Sequence, residues 1–369
     1  MLCNKQHLLR QRSIAETNSD AFITIDNKKL VNFTSNDYLD LAKHSEVKKA
    51  FVKGAETYGL GSGSSNLISG FSKPHKELED AFCELLNREK AILFNSGYHA
   101  NLGVINSLSS RSSTIIADKY CHASIIDGAI MSRAKLLRYH HNDINHAKTL
   151  IEKNKNALII SESVFSMQGS IGNIEALAKV AKNNLIVDDA HGIGVIGENG
   201  KGIIEVEKNI SYLITPLGKS IASFGAIVSG KKDLIENILQ SARTYCYTTS
   251  LPPAISFATL TSLKLLQKET WRRDKLKQLI IFFNIEAKKR NLELVSKDET
   301  PIKCIITKSN LATLNIQKSL IDHGFYVSCI RPPTVPEDTA RIRLSLNCNH
   351  TEKQIIKLLD ILAEKLSCA

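Results

Sequence analysis

The stretch Leu185-Ile-Val-Asp-Asp-Ala-His-Gly192 decides the fold that this sequence predicts. Three apolar residues end abruptly in two acids, and His191 and a glycine follow at once. This pattern is typical of a buried parallel strand that delivers polar side chains to its carboxyl end, where open α/β sheets bind their ligands. The sequence therefore predicts a ligand site at the end of this strand.

A lysine downstream adds a third reactive group to the same predicted edge. Lys219 follows a second apolar run at 212–215. An acid, a histidine and a lysine together suit pyridoxal 5′-phosphate, because Asp188 can keep the ring nitrogen protonated, His191 can hydrogen-bond the ring oxygen and Lys219 can bind the aldehyde. By itself, an acid pair at a strand end is more often solvated or caps a helix. The prediction therefore depends on other segments that agree with it.

Strand-like and helix-like segments alternate along the chain. The predicted helices include 74–87, 143–153 and 174–182, and the predicted strands are 91–94, 114–117, 157–160, 185–187, 212–215 and 226–229. Such alternation predicts an α/β fold with a mostly parallel central sheet and helices on both faces.

The carboxyl-terminal part follows a different pattern. After Pro252-Pro253 a long helical stretch reaches about residue 290, and strands are predicted at 302–306, 325–329 and 342–346 among further helices. We expect a small α+β domain there. The predicted division is an amino-terminal segment 1–40, a large cofactor-binding domain 41–270 and a small domain 271–369, with the long helix at about 253–290 linking the two domains.

Composition excludes several classes of protein. The 369 residues are 43% hydrophobic and 23% charged, which is ordinary for a globular protein. Eight scattered cysteines without a Cys-x-x-Cys pair indicate reduced thiols rather than a metal site. No apolar run approaches the roughly 20 residues that span a bilayer, and the first residues lack the core of a signal peptide. We therefore expect a cytoplasmic protein with no membrane partner.

The net charge of +11 does not predict a nucleic-acid partner. Lysines are spread along helix faces, without an arginine-rich stripe or interleaved aromatic residues. The glycine-rich run 59–65 lacks the spacing of a dinucleotide loop or a P-loop. Positive charge does favour anionic small molecules, and an acidic carrier protein would be attracted to it.

Three more strand ends carry polar groups. Asn95-Ser-Gly-Tyr98 forms a small-residue turn that opens a helix, so the amides of Gly97 and Tyr98 are candidates for a cofactor phosphate. His122 follows the strand 114–117, and Glu162 and Ser166 follow the strand 157–160. Four successive strands thus end in polar residues at one predicted edge.

With these residues in place, the chain resembles the α-oxoamine synthase family of fold-type-I pyridoxal-phosphate enzymes along nearly its whole length. The segments that carry the resemblance are 33–39 (FTSNDYL), 61–71 (GSGSSNLISGF), 75–79 (HKELE), 187–197, 247–253 (YTTSLPP), 330–336 (IRPPTVP) and 339–343 (TARIR). Within the family, the runs 61–65 and 331–336 are most similar to the member that condenses L-alanine with a pimeloyl thioester in biotin biosynthesis. The resemblance also implies a homodimer.

The resemblance implies roles for individual residues. Lys219 would bind the cofactor aldehyde, Asp188 the pyridine nitrogen and His191 the ring oxygen, and His122 would stack on the ring. The other positions implied are Gly97, Tyr98 and Ser166 for the cofactor, Thr249 for the phosphate from the neighbouring subunit, Arg343 for the amino-acid carboxylate, and Thr334 and Arg10 for the substrate, with Arg12 an alternative to Arg10.

Three positions depart from the family pattern. Asp40 stands where the family usually has glycine, and Ser220-Ile-Ala-Ser-Phe224 replaces a glycine-rich stretch. The family usually has threonine three residues before the lysine, but this chain has Pro216 there and Thr215 one residue further back. These departures leave open the phosphate contact of Thr215 and the path of the loop after Lys219.

Two other functions stay open at the level of sequence. One is another α-oxoamine synthase reaction, such as condensation of glycine with acetyl-CoA. The other is a non-catalytic scaffold subunit, which the altered residues around Lys219 would allow. The sequence does not distinguish a coenzyme A thioester from one carried by an acyl carrier protein.

Overall fold

The computed structural model describes Leu9, residues 12–19 and residues 21–367. The strands are β1 (Ala15–Ser19), β2 (Phe22–Ile25), β3 (Lys28–Asn32), β4 (Lys90–Phe94), β5 (Thr114–Asp118), β6 (Lys135–Tyr139), β7 (Leu158–Glu162), β8 (Leu185–Asp188), β9 (Tyr212–Pro216), β10 (Ala226–Gly230), β11 (Ile302–Lys308), β12 (Phe325–Tyr326), β13 (Ser328–Ile330) and β14 (Ala340–Ser345). The α-helices are α1 (Ser45–Tyr58), α2 (Lys73–Leu86), α3 (Gly97–Leu108), α4 (Ala123–Ser132), α5 (Ile144–Lys153), α6 (Ile174–Ala181), α7 (Lys232–Ser241), α8 (Arg243–Cys246), α9 (Pro253–Lys268), α10 (Trp271–Lys289), α11 (Asn310–Asp322) and α12 (Glu352–Ser367).

The chain folds as two compact units. The large unit contains His44–Phe165 and Ile171–Thr270. The small unit contains the described residues before His44, the short segment Ser166–Ser170 and the described residues from Trp271 onward.

The large unit is built on a seven-stranded sheet in the order β4-β10-β9-β8-β7-β5-β6. The neighbours from β9 to β6 run parallel, whereas β10 is antiparallel to both β4 and β9. This sheet with its helices confirms the predicted fold class. Because the strands from β9 to β6 share one direction, their carboxyl ends meet at one edge of the sheet.

Apolar side chains explain why these strands form the middle of the unit. Ile160, Ile186 and Ile214 are buried in neighbouring strands and pack in one core with Val104 of α3 and Ile125 of α4. Continuous apolar strands of this kind need cover on both faces, as parallel sheets do. The core ends where polar residues begin, at the carboxyl edge.

The small unit contains two smaller sheets. One has the order β1-β2-β3-β12, with β12 parallel to β3, and the other has the order β11-β14-β13 with antiparallel neighbours. Phe33, which follows β3, stacks on the ring of His350 at a centroid distance of 4.0 Å. Both side chains are buried, so residues from the two ends of the chain share one core.

Two predicted elements differ from the structure. The long helix expected at 253–290 is two helices, because the backbone of Glu269 (φ −94°, ψ 62°) leaves the helical conformation after α9. The strand expected at 325–329 is also divided, with β12 pairing with β3 and β13 pairing with β14.

In the described part of the chain, no helix has the length and apolar character needed to cross a bilayer. The same residues contain no group of three or more His, Cys, Asp or Glu side chains arranged to bind a metal ion.

Candidate active site

Asp188 is held by two hydrogen bonds at the carboxyl edge of the large sheet. It ends β8 and is buried. Its Oδ2 accepts a hydrogen bond from Nδ2 of Asn101 at 2.7 Å, and its Oδ1 accepts from the backbone N–H of Ala190 at 3.0 Å. Two donors stabilise the charged form of a carboxylate, so Asp188 is suited to face a cationic ring nitrogen.

Asp189, the second acid of the motif, has a different environment. It is buried, and its carboxyl group accepts from the N–H of Ile203 at 3.3–3.4 Å. Burial raises the pKa of Asp189 to about 8. Asp189 therefore anchors the loop that follows β8. His191, two residues further along the chain, is also buried.

His122 and Glu162 are joined at the next strand ends. His122 is the N-cap of α4, and its Nδ1 lies 2.8 Å from Oγ of Ser124. The backbone N–H of His122 donates to Oε1 of Glu162, which ends β7. Burial and the nearby charge of Asp188 raise the pKa of Glu162 well above its usual value, against the opposing effects of the His122 N–H and of Lys219.

Lys219 lies in a tight turn after β9. The N–H of Ala222 donates to the carbonyl of Lys219 at 2.7 Å, and the N–H of Ser223 donates to that of Leu217 at 2.9 Å. Ala222 has φ +57°, in the left-handed region that favours glycine. The loop that stands in place of the family's glycine-rich stretch thus has alanine at a left-handed position.

The turn before α3 is capped by Ser96 and packs closely against Pro216 of β9. Ser96 caps α3, with its Oγ accepting from the N–H of His99 at 3.2 Å. A Cβ on Gly97 would lie 2.7 Å from Cγ of Pro216, so only glycine fits without a shift. Tyr98 uses its hydroxyl to donate to Asp127.

Thr215 and Thr249, the two threonines predicted to contact the cofactor, have different surroundings. Thr215 is fully buried in β9, and its Oγ1 has no hydrogen-bond partner among the described residues. Nδ2 of Asn95 donates to the carbonyl of Thr249 at 2.7 Å, and Thr249 is exposed. Within one chain, the segment around Thr249 is therefore attached to the turn that precedes α3.

The remaining predicted residues belong to the small unit. Arg343 in β14 is buried, and its guanidinium donates to the carbonyl of Ser166 at 2.7 Å and to Oγ of Ser345 at 3.0 Å. Thr334 is exposed. Arg10 lies outside the described residues.

The residues of the large unit fit pyridoxal phosphate. Asp188 accepts two hydrogen bonds, and among the described residues Oγ1 of Thr215 and Oδ1 of Asn101 are buried oxygens without a hydrogen-bond partner, which a ligand can use. A Cβ at Gly97 has no room beside Pro216, so the backbone of this turn packs closely against β9. These groups therefore suit the polar substituents of an organic ring.

Sequence reasoning missed Asn101 and Asp118. Asn101 lies one turn into α3 among buried apolar residues, and Asp118 ends β5, fully buried, 3.1 Å from Nδ1 of His141. A polar residue at a buried helix position was the available signal for Asn101. Its partner Asp188 lies 87 residues away, so the sequence could not indicate the pairing.

The chain is similar to known proteins over nearly its whole length. The family model described as aminotransferase class I and II matches residues 28–362. The chain is 44% identical to an 8-amino-7-oxononanoate synthase of Saccharophagus degradans, covering 96% of this chain and 92% of the relative. It is 43% identical to one of Pseudomonas putida, covering 97% and 93%.

The chain is also similar in fold to solved structures. A crystal structure of 8-amino-7-oxononanoate synthase from Francisella tularensis matches with a TM-score of 0.84 and 38% identity, covering 92% of this chain and 98% of that one. A serine palmitoyltransferase from S. paucimobilis, solved with bound PLP–myriocin, matches with a TM-score of 0.92 and 26% identity, covering 97% and 94%.

Proposed function

Because the chain belongs to the class I and II aminotransferase family, we propose that it condenses L-alanine with a pimeloyl thioester to give 8-amino-7-oxononanoate, carbon dioxide and a free thiol. The observation that carries the proposal is the group at one sheet edge: Asp188 with its two donors, His122, and the turn of Lys219. Relatives that bear this enzyme's name, at 44% and 43% identity over nearly the whole chain, support the substrates.

Pyridoxal phosphate, when bound, withdraws electrons from the α-carbon of an amino acid. Lys219 would hold its aldehyde, Asp188 its ring nitrogen and His191 its ring oxygen. Asp188 is suited to this because two hydrogen bonds, from Asn101 and Ala190, fix the orientation of its carboxyl group. The amine of Lys219 is the group that would take the α-proton of alanine and return it.

The phosphate would be held at the turn that opens α3. The residues proposed to contact the cofactor are Gly97, Tyr98, His122, Ser166, Thr215 and Thr249, and Glu162 is proposed to act on it through its hydrogen bond to the backbone of His122. The helix amino terminus favours an anion through its unpaired amides and its dipole. The buried hydroxyl of Thr215 supports a phosphate contact despite the shift of one residue relative to Lys219.

Arg343 is proposed to bind the carboxylate of alanine. Its Nε donates to the carbonyl of Ser166 and its other nitrogens to Ser345 and Asn36, at 2.7–3.4 Å. These contacts orient a planar fork that can bind a carboxylate with two parallel hydrogen bonds. Thr334 and Arg10 are proposed to contact the acyl group.

We also propose a homodimer. Three large apolar side chains of the large unit are strongly exposed in the single chain: Leu60 (93%), Ile68 (80%) and Tyr247 (75%). The bridge between Ser65 and Thr249 brings the segments that carry them together, and exposed apolar residues that lie together favour a protein interface. The net charge of +11 favours an anionic acyl donor, which coenzyme A and an acyl carrier protein both are.

The first experiment tests the lysine. Lys219→Ala protein loaded with pyridoxal phosphate should lose the visible absorbance of cofactor bound covalently to the lysine, and all turnover. Lys231→Ala is the matched control, because Lys231 is exposed and follows β10, whose antiparallel direction puts it at the opposite edge of the sheet. Full turnover in Lys219→Ala would refute the proposal.

A second experiment tests the substrates. A panel of amino acids and acyl thioesters is assayed by thiol release, with pimeloyl groups on coenzyme A and on acyl carrier protein. We expect the highest kcat/KM with alanine and a pimeloyl thioester. A preference for glycine with acetyl-CoA would favour the other α-oxoamine synthase reaction, and protein that binds no cofactor would favour a scaffold.

A further inference from the structure

Glu162 and Asp188 place two carboxyl groups side by side in the core of the large unit. They are register partners at the ends of the parallel strands β7 and β8. Glu162 is 3% exposed and Asp188 is 5% exposed. Two buried carboxylates that lie close together repel each other, and this repulsion favours the state in which one of them is protonated.

The hydrogen-bond donors divide unequally between the two acids. Asp188 accepts a hydrogen bond from Nδ2 of Asn101 on one oxygen and from the N–H of Ala190 on the other. Glu162 accepts a hydrogen bond from the N–H of His122 on Oε1. Since each donor stabilises negative charge, the arrangement favours the charge on Asp188.

We propose that Glu162 is the neutral member of this pair, a positioning residue that holds the backbone of His122 and leaves the negative charge to Asp188. The inference rests on the proposed binding of pyridoxal phosphate, because Asp188 is proposed to face the ring nitrogen. One anion balances one protonated ring. A second buried anion would also have to be desolvated, and the nearby charge of Lys219 offsets only part of that cost.

The surroundings of Glu162 agree with a neutral group. Burial is the main cause of its raised pKa, followed by the charge of Asp188 on β8, and Asp118 on β5 acts in the same direction. Lys219, after β9, and the N–H of His122 oppose them. Asp118 itself is paired with His141, and the thiol of Cys121 has its own pKa raised by burial.

The test compares Glu162→Gln with Glu162→Leu. Glutamine keeps an oxygen that accepts from His122 and is neutral at every pH, whereas leucine leaves that N–H unpaired. We expect the dissociation constant of pyridoxal phosphate to stay within about threefold of wild type for glutamine and to weaken at least about tenfold for leucine. Asp188→Asn should weaken it by about 100-fold or more.

A second readout needs no cofactor. The infrared carbonyl signal of protonated carboxyl groups, recorded on cofactor-free protein at pH 7, should decrease in Glu162→Gln. Glu79→Gln is the matched control, because Glu79 is also buried, accepts one backbone N–H (Leu93, 2.9 Å) and has a pKa raised by burial to about 8, but lies outside the site. It should lose infrared signal and leave cofactor binding unchanged.

Two results would overturn the inference. One is Glu162→Gln binding the cofactor as weakly as Glu162→Leu, and the other is an infrared signal that Glu162→Gln leaves intact. If Glu162→Leu does not fold, the infrared comparison of wild type with Glu162→Gln still decides. A wild-type chain that binds no pyridoxal phosphate would instead contradict the proposed function, and the infrared signal would separately report the proton on Glu162.

Discussion

The side chains at the carboxyl edge of the large sheet are of two kinds, the reactive groups and the buried polar residues that hold them in place. Asp188, His191 and Lys219 follow apolar runs, so a sheet edge was visible in the sequence. Asn101, which bonds Asp188, and Asp118, which pairs with His141, depend on contacts between distant segments. Such pairings are formed by the packing of the fold, and sequence spacing alone cannot indicate them.

His350 gives a prediction about pH at this scale. Nδ1 of its ring accepts a hydrogen bond from the N–H of Asn347, and Nε2 donates to the carbonyl of Asn32, both at 3.0 Å. Burial lowers the pKa of His350 from 6.5 to about 4. The His350 side chain therefore binds a proton below about pH 6.5 in the unfolded chain, but only below about pH 4 in the folded chain. The free energy of unfolding should fall by roughly 3 kcal/mol as pH decreases across this window.

Urea unfolding of wild type, His350→Gln and His323→Gln at several pH values tests this prediction. His350→Gln should be less stable at pH 7 and should lose less stability between pH 6.5 and 4, because its side chain does not titrate. His323 is exposed, so its replacement is the control. Equal pH slopes for all three proteins would show that His350 does not cause the effect.

At the scale of elements, periodicity identified segments but not their partners. The six predicted strands of the large sheet are present within two residues of their predicted bounds. Three features could not be predicted: the antiparallel direction of β10, the edge strand β6, and the strands β1–β3. Periodicity carries no strand direction, β6 is only partly buried, and β3 begins with two exposed lysines. The break between α9 and α10 was missed because it contains neither Gly nor Pro.

The crossing of α1 and α9 gives a prediction at this scale. A Cβ on Gly54 would lie 2.9 Å from Cα of Ala254, so the helix backbones are nearly in contact. Gly54→Ala should lower the free energy of unfolding by about 1–2 kcal/mol, even though alanine favours helices, because overpacking costs more than the propensity gain. Thermal unfolding measures the change.

Gly61→Ala is the matched control for this substitution. A Cβ at Gly61 would meet nothing within 4 Å, and its φ is not positive. We expect a change of less than about 0.5 kcal/mol. If both variants unfold alike, the close approach of α1 and α9 does not limit stability.

For the whole molecule, the proposed dimer raises the question of whether a site uses residues from both subunits. Thr249 is exposed, while its carbonyl is held by Asn95 of the same chain. An exposed hydroxyl on a fixed backbone can face a neighbouring subunit. We therefore expect Thr249 to contact the phosphate bound by the partner subunit.

Mixing two inactive variants tests this expectation. Lys219→Ala and Thr249→Asp subunits are combined at equal amounts under conditions that exchange subunits. If the site is shared, a mixed dimer has one doubly defective site and one intact site, so activity should recover to about a quarter of wild type. If each site uses one chain only, no mixed dimer has an intact site, and no recovery despite demonstrated exchange would refute sharing.

The parallel pairing of β3 with β12 has a consequence for synthesis on the ribosome. Val31 is the register partner of Phe325, so the first strands of the chain cannot complete their sheet until nearly the whole chain has been translated. At about 5–20 residues per second, on the order of 15–60 s separate the appearance of the two strands. During that time β3 presents an open edge. A nascent chain stalled before residue 325 therefore exposes a strand that other chains, or a chaperone, can bind.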